Sequence, residues 1–201
     1  MEPHDVIKAQ LMDAGDLERT LHRMAHQILE RIDDDAATAE QFGLIGMQRR
    51  GVPLARRLQA FIQQDEGAEV PVGVLDATMY RDDVHLRPRQ PIVRATYIPF
   101  DIDGRHLVLV DDVLYTGRTA RSALDALMDI GRPASVTFLV IVDRGHRELP
   151  ICADIVGRTV PTVPGEEVRV RVHELDDREG VWLVNTSAPP QPVGRTPQDE
   201  A

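Results

Sequence analysis

The sequence predicts an α/β protein with a central, mainly parallel sheet flanked by helices. Three observations carry this prediction. Residues 107–110 form a continuous aliphatic run, which suits a strand buried on both faces. Residues 118–130 then show a helical period, and residues 136–142 are again apolar. Strand, helix and strand in this order indicate a right-handed βαβ unit, in which the two strands are parallel.

The first half of the chain fits the same pattern. Apolar residues recur at three- and four-residue steps from Leu17 to Ile32, which predicts an amphipathic helix over residues 16–33. Residues 42–47 are short, apolar and glycine-containing, as in a buried strand. Residues 52–64 follow as a helix that tolerates proline in its first turn.

The remaining segments are strands, a loop and a tail. We predict strands at residues 70–75 and, from an alternation of period two, at residues 168–172. Residues 81–97 show no period and are rich in arginine, so they form a long loop of the kind that often closes over a site. Residues 1–185 are expected to form one domain, and residues 186–201 a disordered, proline-rich tail.

Composition limits the possible functions. The 201 residues include 23 Lys and Arg against 33 Asp and Glu, a formal charge of −10. Such a chain does not bind nucleic acid through a generally basic surface, so any RNA role needs a local basic patch. Cys152 is the only cysteine, which excludes an intramolecular disulfide. Without a signal-like apolar segment or a run of about 18 apolar residues, we expect a cytoplasmic protein and no membrane partner.

Residues 107–119 carry the strongest chemical signal. A buried strand brings Asp111 and Asp112 to the carboxyl edge of a parallel sheet, where α/β proteins bind ligands. Thr116 and Gly117 then precede a helix, whose first backbone amides can hold an anion. The turn therefore suits a phosphate, and the two carboxylates suit sugar hydroxyls or a divalent ion. The alternative is an ordinary strand-to-helix turn with solvated carboxylates.

This segment resembles the phosphoribosyl-pyrophosphate-binding motif of type I phosphoribosyltransferases. That motif has apolar residues, two acidic residues, a variable loop, Thr-Gly and a hydroxyl residue. Residues 46–55, 75–83 and 142–151 resemble the bifunctional pyrimidine-operon attenuation regulators with uracil phosphoribosyltransferase activity. The resemblance extends over about residues 6–185 and implies the type I phosphoribosyltransferase fold, with a small hood and a flexible loop.

The resemblance also implies the reaction and its residues. Uracil and phosphoribosyl pyrophosphate would give UMP and pyrophosphate, with Mg²⁺ as cofactor. The implied catalytic residues are Asp111, Asp112 and Arg81, of which the two aspartates would hold Mg²⁺ directly or indirectly. The implied substrate-binding residues are Arg49, Arg50, Gly51, Arg89, Asp111, Asp112, Val113, Leu114, Tyr115, Thr116, Gly117, Arg118, Thr119, Asp143 and Arg144. Arginines and Mg²⁺ would neutralise the charge on the leaving pyrophosphate.

Two positions depart from the pattern of the family. Arg49-Arg50-Gly51 stands where Thr-Arg-Gly is usual, so an additional guanidinium either strengthens pyrophosphate binding or crowds the turn. Tyr115 stands near a position that is often acidic in purine and orotate relatives. A phenol is a poor base at neutral pH, which leaves the acceptor of the uracil proton unassigned.

The resemblance further implies binding of pyrimidine-operon mRNA when uridine nucleotides occupy the site. The predicted RNA-binding residues are Arg19, His22, Arg23, His26, Arg147 and Arg158. The first four share one face of the first helix, which makes a potential basic stripe. A solvated helix face is the alternative, because Glu30 shares that face and histidines are mostly neutral at pH 7.

The sequence thus predicts a regulator of pyrimidine genes that also has uracil phosphoribosyltransferase activity. Two alternatives remain: a non-catalytic, nucleotide-sensing RNA-binding regulator, and a salvage enzyme for another base. Expected partners are phosphoribosyl pyrophosphate, uracil, UMP, pyrimidine-operon mRNA and further copies of the chain in a homodimer or larger homo-oligomer.

Overall fold

The computed structural model describes residues 6–34, 41–80 and 95–186, which form eight strands, three α-helices and one short 3₁₀ helix. In chain order they are β1 (Val6–Met12), α1 (Ala14–Asp34), β2 (Phe42–Met47), α2 (Gly51–Glu66), β3 (Val72–Leu75), the 3₁₀ helix (Thr78–Tyr80), β4 (His106–Leu114), α3 (Arg118–Ile130), β5 (Ser135–Asp143), β6 (Ile155–Thr159), β7 (Glu166–Arg171) and β8 (Gly180–Asn185).

Five of the strands form the main sheet, in the order β3-β2-β4-β5-β6, and every pairing is parallel. This confirms the predicted α/β fold class. From β2 the chain passes to β3 on one side and then returns to β4 on the other side. Such a reversal opens a crevice beyond the carboxyl ends of the two central strands, where α/β sheets bind ligands. The crevice between β2 and β4 is therefore the expected site.

The other three strands form a small antiparallel sheet in the order β1-β8-β7. It joins the two ends of the described chain, because β1 pairs with β8 along its length. An ion pair between Lys8 on β1 and the buried carboxylate of Glu166 on β7 links its two outer strands. We call this small sheet, together with the segment between β7 and β8, the hood.

Two apolar layers cover the main sheet. Val108 and Val110 of β4 pack in a layer with residues of α1 and α2, whereas Leu107 and Leu109 pack in a layer with residues of α3. Alternate residues of a strand point to opposite faces, so a fully aliphatic strand is what two-sided burial requires. The strand therefore delivers its carboxyl end between two covered faces.

Several predicted boundaries need correction. Pairing with β5 extends β4 four residues beyond the predicted end, through both aspartates. Tyr97, predicted to be in the loop, forms an antiparallel bridge with Val74 of β3 through two 2.8 Å hydrogen bonds. Thr186, predicted to be in the tail, donates its backbone N–H to the Gly165 carbonyl at 2.9 Å. Strands β1 and β6 were not predicted at all.

Some predictions fall outside the described residues. These are the loop over residues 81–94, with Arg81 and Arg89, and the tail over residues 187–201. The assignment of residues 1–185 to a single domain stays a prediction. Among the helices of the described ranges, none has the length and apolar character that crossing a membrane requires.

Candidate phosphoribosyl-binding site

The acidic pair lies at the mouth of the crevice. β4 pairs with β2 as far as Val110, but with β5 as far as Leu114. Asp111 and Asp112 are therefore the first β4 residues beyond the end of the β2 pairing. The Asp112 side chain lies on the face covered by α2, and the Asp112 backbone N–H donates to the Asp111 carboxylate at 2.9 Å.

Two glycines allow the turn after β2 to approach this pair. A Cβ atom on Gly51 would lie 2.2 Å from the carbonyl oxygen of Val110, and one on Gly46 would lie 2.6 Å from the Cα atom of Val52. No side chain fits at either distance, so the start of α2 packs directly on β4 only because both residues are glycine. This close packing brings residues 48–50 beside the acidic pair.

The Arg50 side chain is held in place by Asp176, which lies between β7 and β8. Its Nε and Nη2 atoms donate hydrogen bonds of 3.1 and 2.8 Å to the two carboxylate oxygens of Asp176. Arg171 of β7 donates a further hydrogen bond of 3.0 Å to the Asp176 Oδ1 atom. Asp176 therefore fixes the arginine that lies next to the acidic pair, a role that the sequence analysis missed.

Charges around this arginine shift several pKa values. Burial raises the pKa of the Asp112 carboxyl, against the opposing field of the Arg50 guanidinium. Burial alone would lower the pKa of Arg50, but hydrogen bonding and charge pairing with Asp176 raise it. Burial would likewise raise the pKa of Asp176, which its hydrogen bond with Arg50 instead lowers. The site thus contains the fixed guanidinium of Arg50 and the carboxylate of Asp112, whose burial the nearby positive charge does not fully offset.

Arg49 differs from its neighbour. Its side chain is exposed, and within the described ranges it makes no hydrogen bond or ion pair. The peptide bond between Gln48 and Arg49 is cis. Of the two adjacent arginines, one is held by the hood and the other is available to a ligand.

The candidate phosphate turn follows β4 directly. Gly117 has a φ of 90° and caps α3, which begins at Arg118. A positive φ is readily adopted by glycine, and it turns the chain so that the first amides of the helix face the crevice. The Thr116 side chain and the Thr119 side chain in the first helical turn are both half-buried. These groups lie at the helix start for which the sequence predicts anion binding, and that role stays a prediction.

A neighbouring loop supports the turn. The Thr116 carbonyl accepts hydrogen bonds from the backbone N–H groups of Glu148 and Leu149, at 3.0 and 3.1 Å. The Arg118 Nε atom donates a 2.6 Å hydrogen bond to the Glu148 carboxylate. These bonds use carbonyl and side-chain groups of the turn and hold its shape. Within the turn, the Arg118 backbone N–H donates to the Thr116 hydroxyl at 3.4 Å.

The residues between the acidic pair and the turn have structural contacts. The Val113 N–H donates to the Asp112 carboxylate at 2.9 Å, and the carbonyl of buried Leu114 accepts from the Arg144 N–H at 3.1 Å. Tyr115 is 44% exposed, and the guanidinium carbon of Arg144 lies 4.0 Å from the centre of its ring. The loop after β5, which contains the implied substrate-binding residue Arg144, thus packs against the end of β4.

The loop after β5 holds its own charged groups. Arg144 is buried and donates to the Thr162 hydroxyl at 3.2 Å. Asp143 accepts from the Gly145 N–H at 2.9 Å and pairs with Arg147. Burial would raise the pKa of Asp143, but the hydrogen bonds from Arg147 and Gly145 lower it.

Arg147 lies with this loop, apart from the other predicted RNA-binding residues. Its Nη1 atom donates to the Tyr115 carbonyl at 2.7 Å, and its Nε atom donates to the Ile151 carbonyl at 2.9 Å. Its contacts therefore connect the phosphate turn with the loop after β5. A role in RNA binding stays a prediction for this residue.

Three of the other predicted RNA-binding residues converge on a separate surface. Arg19, Arg23 and Arg158 line a cavity of about 370 Å³ between α1 and β6. Arg23 donates to the Gly157 carbonyl at 2.9 Å, and Arg158 donates to the Leu11 carbonyl. We call these three residues the arginine cluster. His22 and His26 lie on the side of α1 that faces α2, so the structure divides the predicted stripe into two parts.

Comparison with known proteins defines the class. A family model described as a phosphoribosyl transferase domain matches residues 10–174. A hypoxanthine-guanine phosphoribosyltransferase of Leishmania tarentolae, solved in complex with GMP, has a TM-score of 0.68 at 18% identity and covers 89% of this chain and 96% of its own. One from Bacillus anthracis has a TM-score of 0.64 at 19% identity, with coverage of 90% and 98%. The likeness to these structures shows the fold.

Sequence relatives define the branch. The bifunctional protein PyrR of Roseiflexus sp. (strain RS-1) is 54% identical over 180 residues, which cover 89% of this chain and 96% of that protein. The bifunctional protein PyrR of Thermus aquaticus is 55% identical over 177 residues, which cover 87% and 96%. This chain belongs to the phosphoribosyltransferase family and, within it, to the bifunctional PyrR proteins.

Proposed function

We propose that the protein transfers the phosphoribosyl group of phosphoribosyl pyrophosphate to uracil, and that it regulates pyrimidine genes by binding their mRNA. The observation that carries the catalytic part is the convergence of three features at one sheet edge. They are the acidic pair Asp111 and Asp112 at the end of β4, the start of α3 after Gly117, and the turn with Arg49 and Arg50 before α2, which we call the arginine turn. Membership of the PyrR branch supports both parts.

The three features match the three parts of the donor. The 5-phosphate binds the amides and hydroxyls of residues 115–119 at the start of α3. The ribose hydroxyls bind Asp111 and Asp112, and the pyrophosphate binds Arg49, Arg50 and the N-terminus of α2. Uracil binds beside the loop that contains Asp143 and Arg144, and Arg81 and Arg89 contribute from the predicted closing loop.

The acidic pair fits a magnesium ion. Carboxylate oxygens are the ligands that Mg²⁺ prefers. Burial raises the pKa of the Asp112 carboxyl because it disfavours the ionised form, and a bound cation would offset that penalty. We propose that Asp111 and Asp112 hold the ion, directly or through water. When bound, it neutralises charge on the leaving pyrophosphate.

The protein groups act on the bond between ribose and pyrophosphate. As the C1′–O bond breaks, negative charge grows on the pyrophosphate, and Arg49 is available to pair with it. Arg50 is held in place by Asp176, so it needs little reorganisation as that charge develops. The pyrophosphate leaves with the electron pair of the C1′–O bond as the C1′–N1 bond to uracil forms, and the N1 proton of uracil passes to the pyrophosphate or to water.

UMP formation from uracil and phosphoribosyl pyrophosphate with Mg²⁺ tests the catalytic part. We expect turnover by the unmodified protein and a loss of about 10²–10³-fold in kcat/KM for Asp111→Asn. Arg121→Ala is the matched control, because this exposed arginine lies on the surface of α3, where it pairs with Asp125. Absence of turnover alongside UMP-dependent RNA binding would favour the non-catalytic regulator. A preference for orotate, guanine or hypoxanthine over uracil would favour another salvage activity.

The arginine cluster carries the RNA part of the proposal. Arg19 is 72% exposed, and all three arginines border one cavity on an otherwise acidic protein. Such a patch positions RNA through phosphates, whereas loops or bulges with unstacked bases supply the sequence that is read. His22 and His26 are proposed as further RNA contacts because they belong to the predicted helical stripe, and Arg147 is proposed on the basis of the family resemblance.

Titration of a pyrimidine-operon leader RNA, with and without UMP, tests this part. We expect tighter binding with UMP. Arg19→Ala should weaken binding and reduce the dependence of log K on log salt by about one phosphate contact, while UMP synthesis stays unchanged. Arg121→Ala should leave both properties unchanged. Equal RNA affinity of Arg19→Ala and the unmodified protein would mean that the stripe is a solvated face. Light scattering on the same preparation measures the proposed homodimer or larger assembly.

A further inference from the structure

Two histidines and an aspartate outside the catalytic site converge at the contact between α1 and α2. His22 and His26 are one turn apart on α1, and Asp65 lies in the last turn of α2. The Nε2 atoms of the two histidines lie 3.1 and 3.5 Å from the same atom, Asp65 Oδ2. The ligand atoms of all three residues lie within 4.8 Å of one another.

Hydrogen bonding does not account for this arrangement. Asp65 Oδ2 is shielded from solvent and, among the described residues, receives no hydrogen bond. His22 Nε2 satisfies hydrogen-bond geometry only toward the other oxygen, Oδ1, at 3.4 Å. A shielded carboxylate oxygen without a donor is costly, because it has lost water and gained nothing in return. The missing partner is a cation between the three side chains.

The spacing agrees with a tetrahedral metal ion. Zinc bonds to imidazole nitrogen and carboxylate oxygen are about 2.0–2.2 Å long, which places two ligand atoms of a tetrahedron about 3.4 Å apart. The two separations from Asp65 Oδ2, 3.1 and 3.5 Å, lie on either side of that value. The three ligand atoms lie within 4.8 Å of one another, so the exposed His26 ring would turn toward the ion to complete the coordination. Imidazole suits zinc and its neighbours in the transition series better than it suits magnesium. We propose that His22, His26 and Asp65 bind a divalent transition-metal ion, for which Zn²⁺ is the probe.

The surroundings support a formed site. The His22 ring packs edge-on against Phe61, with ring centres 5.0 Å apart, and edge-on against His26, with centres 4.8 Å apart. These contacts restrict the His22 ring and exclude water on one side. His26 is 52% exposed, so the fourth position is open to water.

This metal site is separate from the proposed magnesium site. Asp65 lies fourteen positions after the start of α2, about 21 Å along the helix from the arginine turn. A bound ion would join α1 to α2 by coordination, on a side of α1 separate from the arginine cluster. Its test does not depend on the enzymatic reaction or on RNA.

The proposal is tested by titrating the full, chelator-treated protein with Zn²⁺ against a chromophoric chelator. We expect one saturable ion per chain, and at least about a tenfold weaker affinity for His26→Ala and for Asp65→Asn. The matched control is His106→Gln, because this histidine lies elsewhere, stacked on Phe42 and bonded to Ser135. It should keep the affinity of the unmodified protein.

Thermal unfolding provides the second readout. Zn²⁺ should raise the Tm of the unmodified protein and of His106→Gln, but not that of His26→Ala, because an ion that binds only the folded state stabilises it. His26 is largely exposed, so its replacement should not prevent folding. Equal zinc affinity in His26→Ala, Asp65→Asn and the unmodified protein would overturn the proposal, as would an absence of saturable binding.

Discussion

At the scale of single residues, Arg49 and Arg50 have different environments although they are adjacent. Arg50 is held by Asp176, whereas Arg49 is exposed and makes no ion pair in the described part of the chain. We expect Arg49→Thr, which restores the usual residue of the family, to raise the KM for phosphoribosyl pyrophosphate by about 5–10-fold, because one charged hydrogen bond is lost. Initial-rate kinetics at saturating uracil measure this change in KM. An unchanged KM would mean that Arg49 does not contact the donor.

Gly51 is the residue whose replacement should most disturb the site. A methyl group there would meet the Val110 carbonyl oxygen at 2.2 Å, so α2 or β4 must move. We expect Gly51→Ala to lower the free energy of unfolding by about 1–3 kcal/mol and to weaken donor binding. Urea unfolding checks the first effect, and the KM for the donor checks the second.

Gly15→Ala is the matched control for this prediction. A methyl group on Gly15 would meet the flexible end of Arg19 at 3.2 Å and the Asp13 carboxylate at an ordinary 3.4 Å, and alanine is the better residue within a helix. Its stability should therefore stay equal or rise. A Gly51→Ala variant as stable as Gly15→Ala would show that the strand and helix can separate without cost.

The sequence was sufficient to predict the local parts of the site, but not the contacts between distant parts. The acidic pair and the phosphate turn occupy consecutive positions, so one motif reveals both. Asp176 comes from a charged segment, and its contact with Arg50 spans 126 positions. No local pattern distinguishes such a residue from a solvated carboxylate. The convergence of His22, His26 and Asp65 was likewise hidden, because it depends on how α1 packs against α2.

At the scale of elements, a charged cluster fastens α2 to the segment between β7 and β8. Arg57 of α2 pairs with Glu174 at 2.8 Å and with Glu179, which also contacts His173. The hydrogen bond from Arg57 is the largest influence on Glu179, and it lowers the pKa of that carboxyl to about 2. Arg57 therefore binds the ionised form of a carboxylate whose side chain is 14% exposed.

This cluster should make stability depend on acid pH. The pKa of Glu179 is lower in the folded protein than its ordinary value of 4.5, so its contribution is complete above pH 4.5 and is lost as the pH falls to about 2. We expect Glu179→Gln to lower the free energy of unfolding by about 2 kcal/mol at pH 7, and the difference to shrink across that window. Denaturant unfolding of both proteins at a series of pH values measures this difference in the free energy of unfolding.

Glu167→Gln is the control for the acid prediction. Glu167 pairs with Arg169 on the surface, where both side chains are more than one-third exposed. Its replacement should change stability by no more than about 0.5 kcal/mol. If both variants showed the same pH dependence, the cluster around Arg57 would not be the source of the effect.

Elements were predictable where their own residues carry a periodic pattern. Helix α3 and strand β2 both have the predicted bounds. The amphipathic face of α3 and the two-sided burial of β2 each leave a clear hydrophobic pattern in the sequence. Strand β1 is exposed over most of its length, so it shows no buried alternation. Strand β6 is short and includes Gly157, where a Cβ atom would lie 2.6 Å from the Ile141 carbonyl oxygen. Both strands depend on their partners for their conformation.

At the scale of the whole molecule, β1 connects the start of the chain to its end. It pairs with β8, which lies in the middle of the small sheet, and its Lys8 pairs with Glu166. We expect removal of residues 1–12 to lower the Tm by at least about 5 °C, and to promote aggregation through the exposed edge of β8. Differential scanning fluorimetry and light scattering measure these effects.

Removal of residues 187–201 is the control, since the sequence predicts a disordered tail there. That truncation should leave the Tm unchanged. An unchanged Tm after removal of residues 1–12 would mean that the small sheet is stable with two strands.

The pairing of the first strand with the last also sets the order in which a newly made molecule becomes complete. The ribosome releases β1 and Arg50 early, but β8 and Asp176 are synthesised near the end of the described chain. During translation, therefore, β1 has no strand to pair with and Arg50 has no anchor. Domains fold as their sequence emerges, yet this one cannot assemble its hood until translation is almost finished. Any chain released before β8 has been made therefore carries an incomplete hood and an unanchored Arg50.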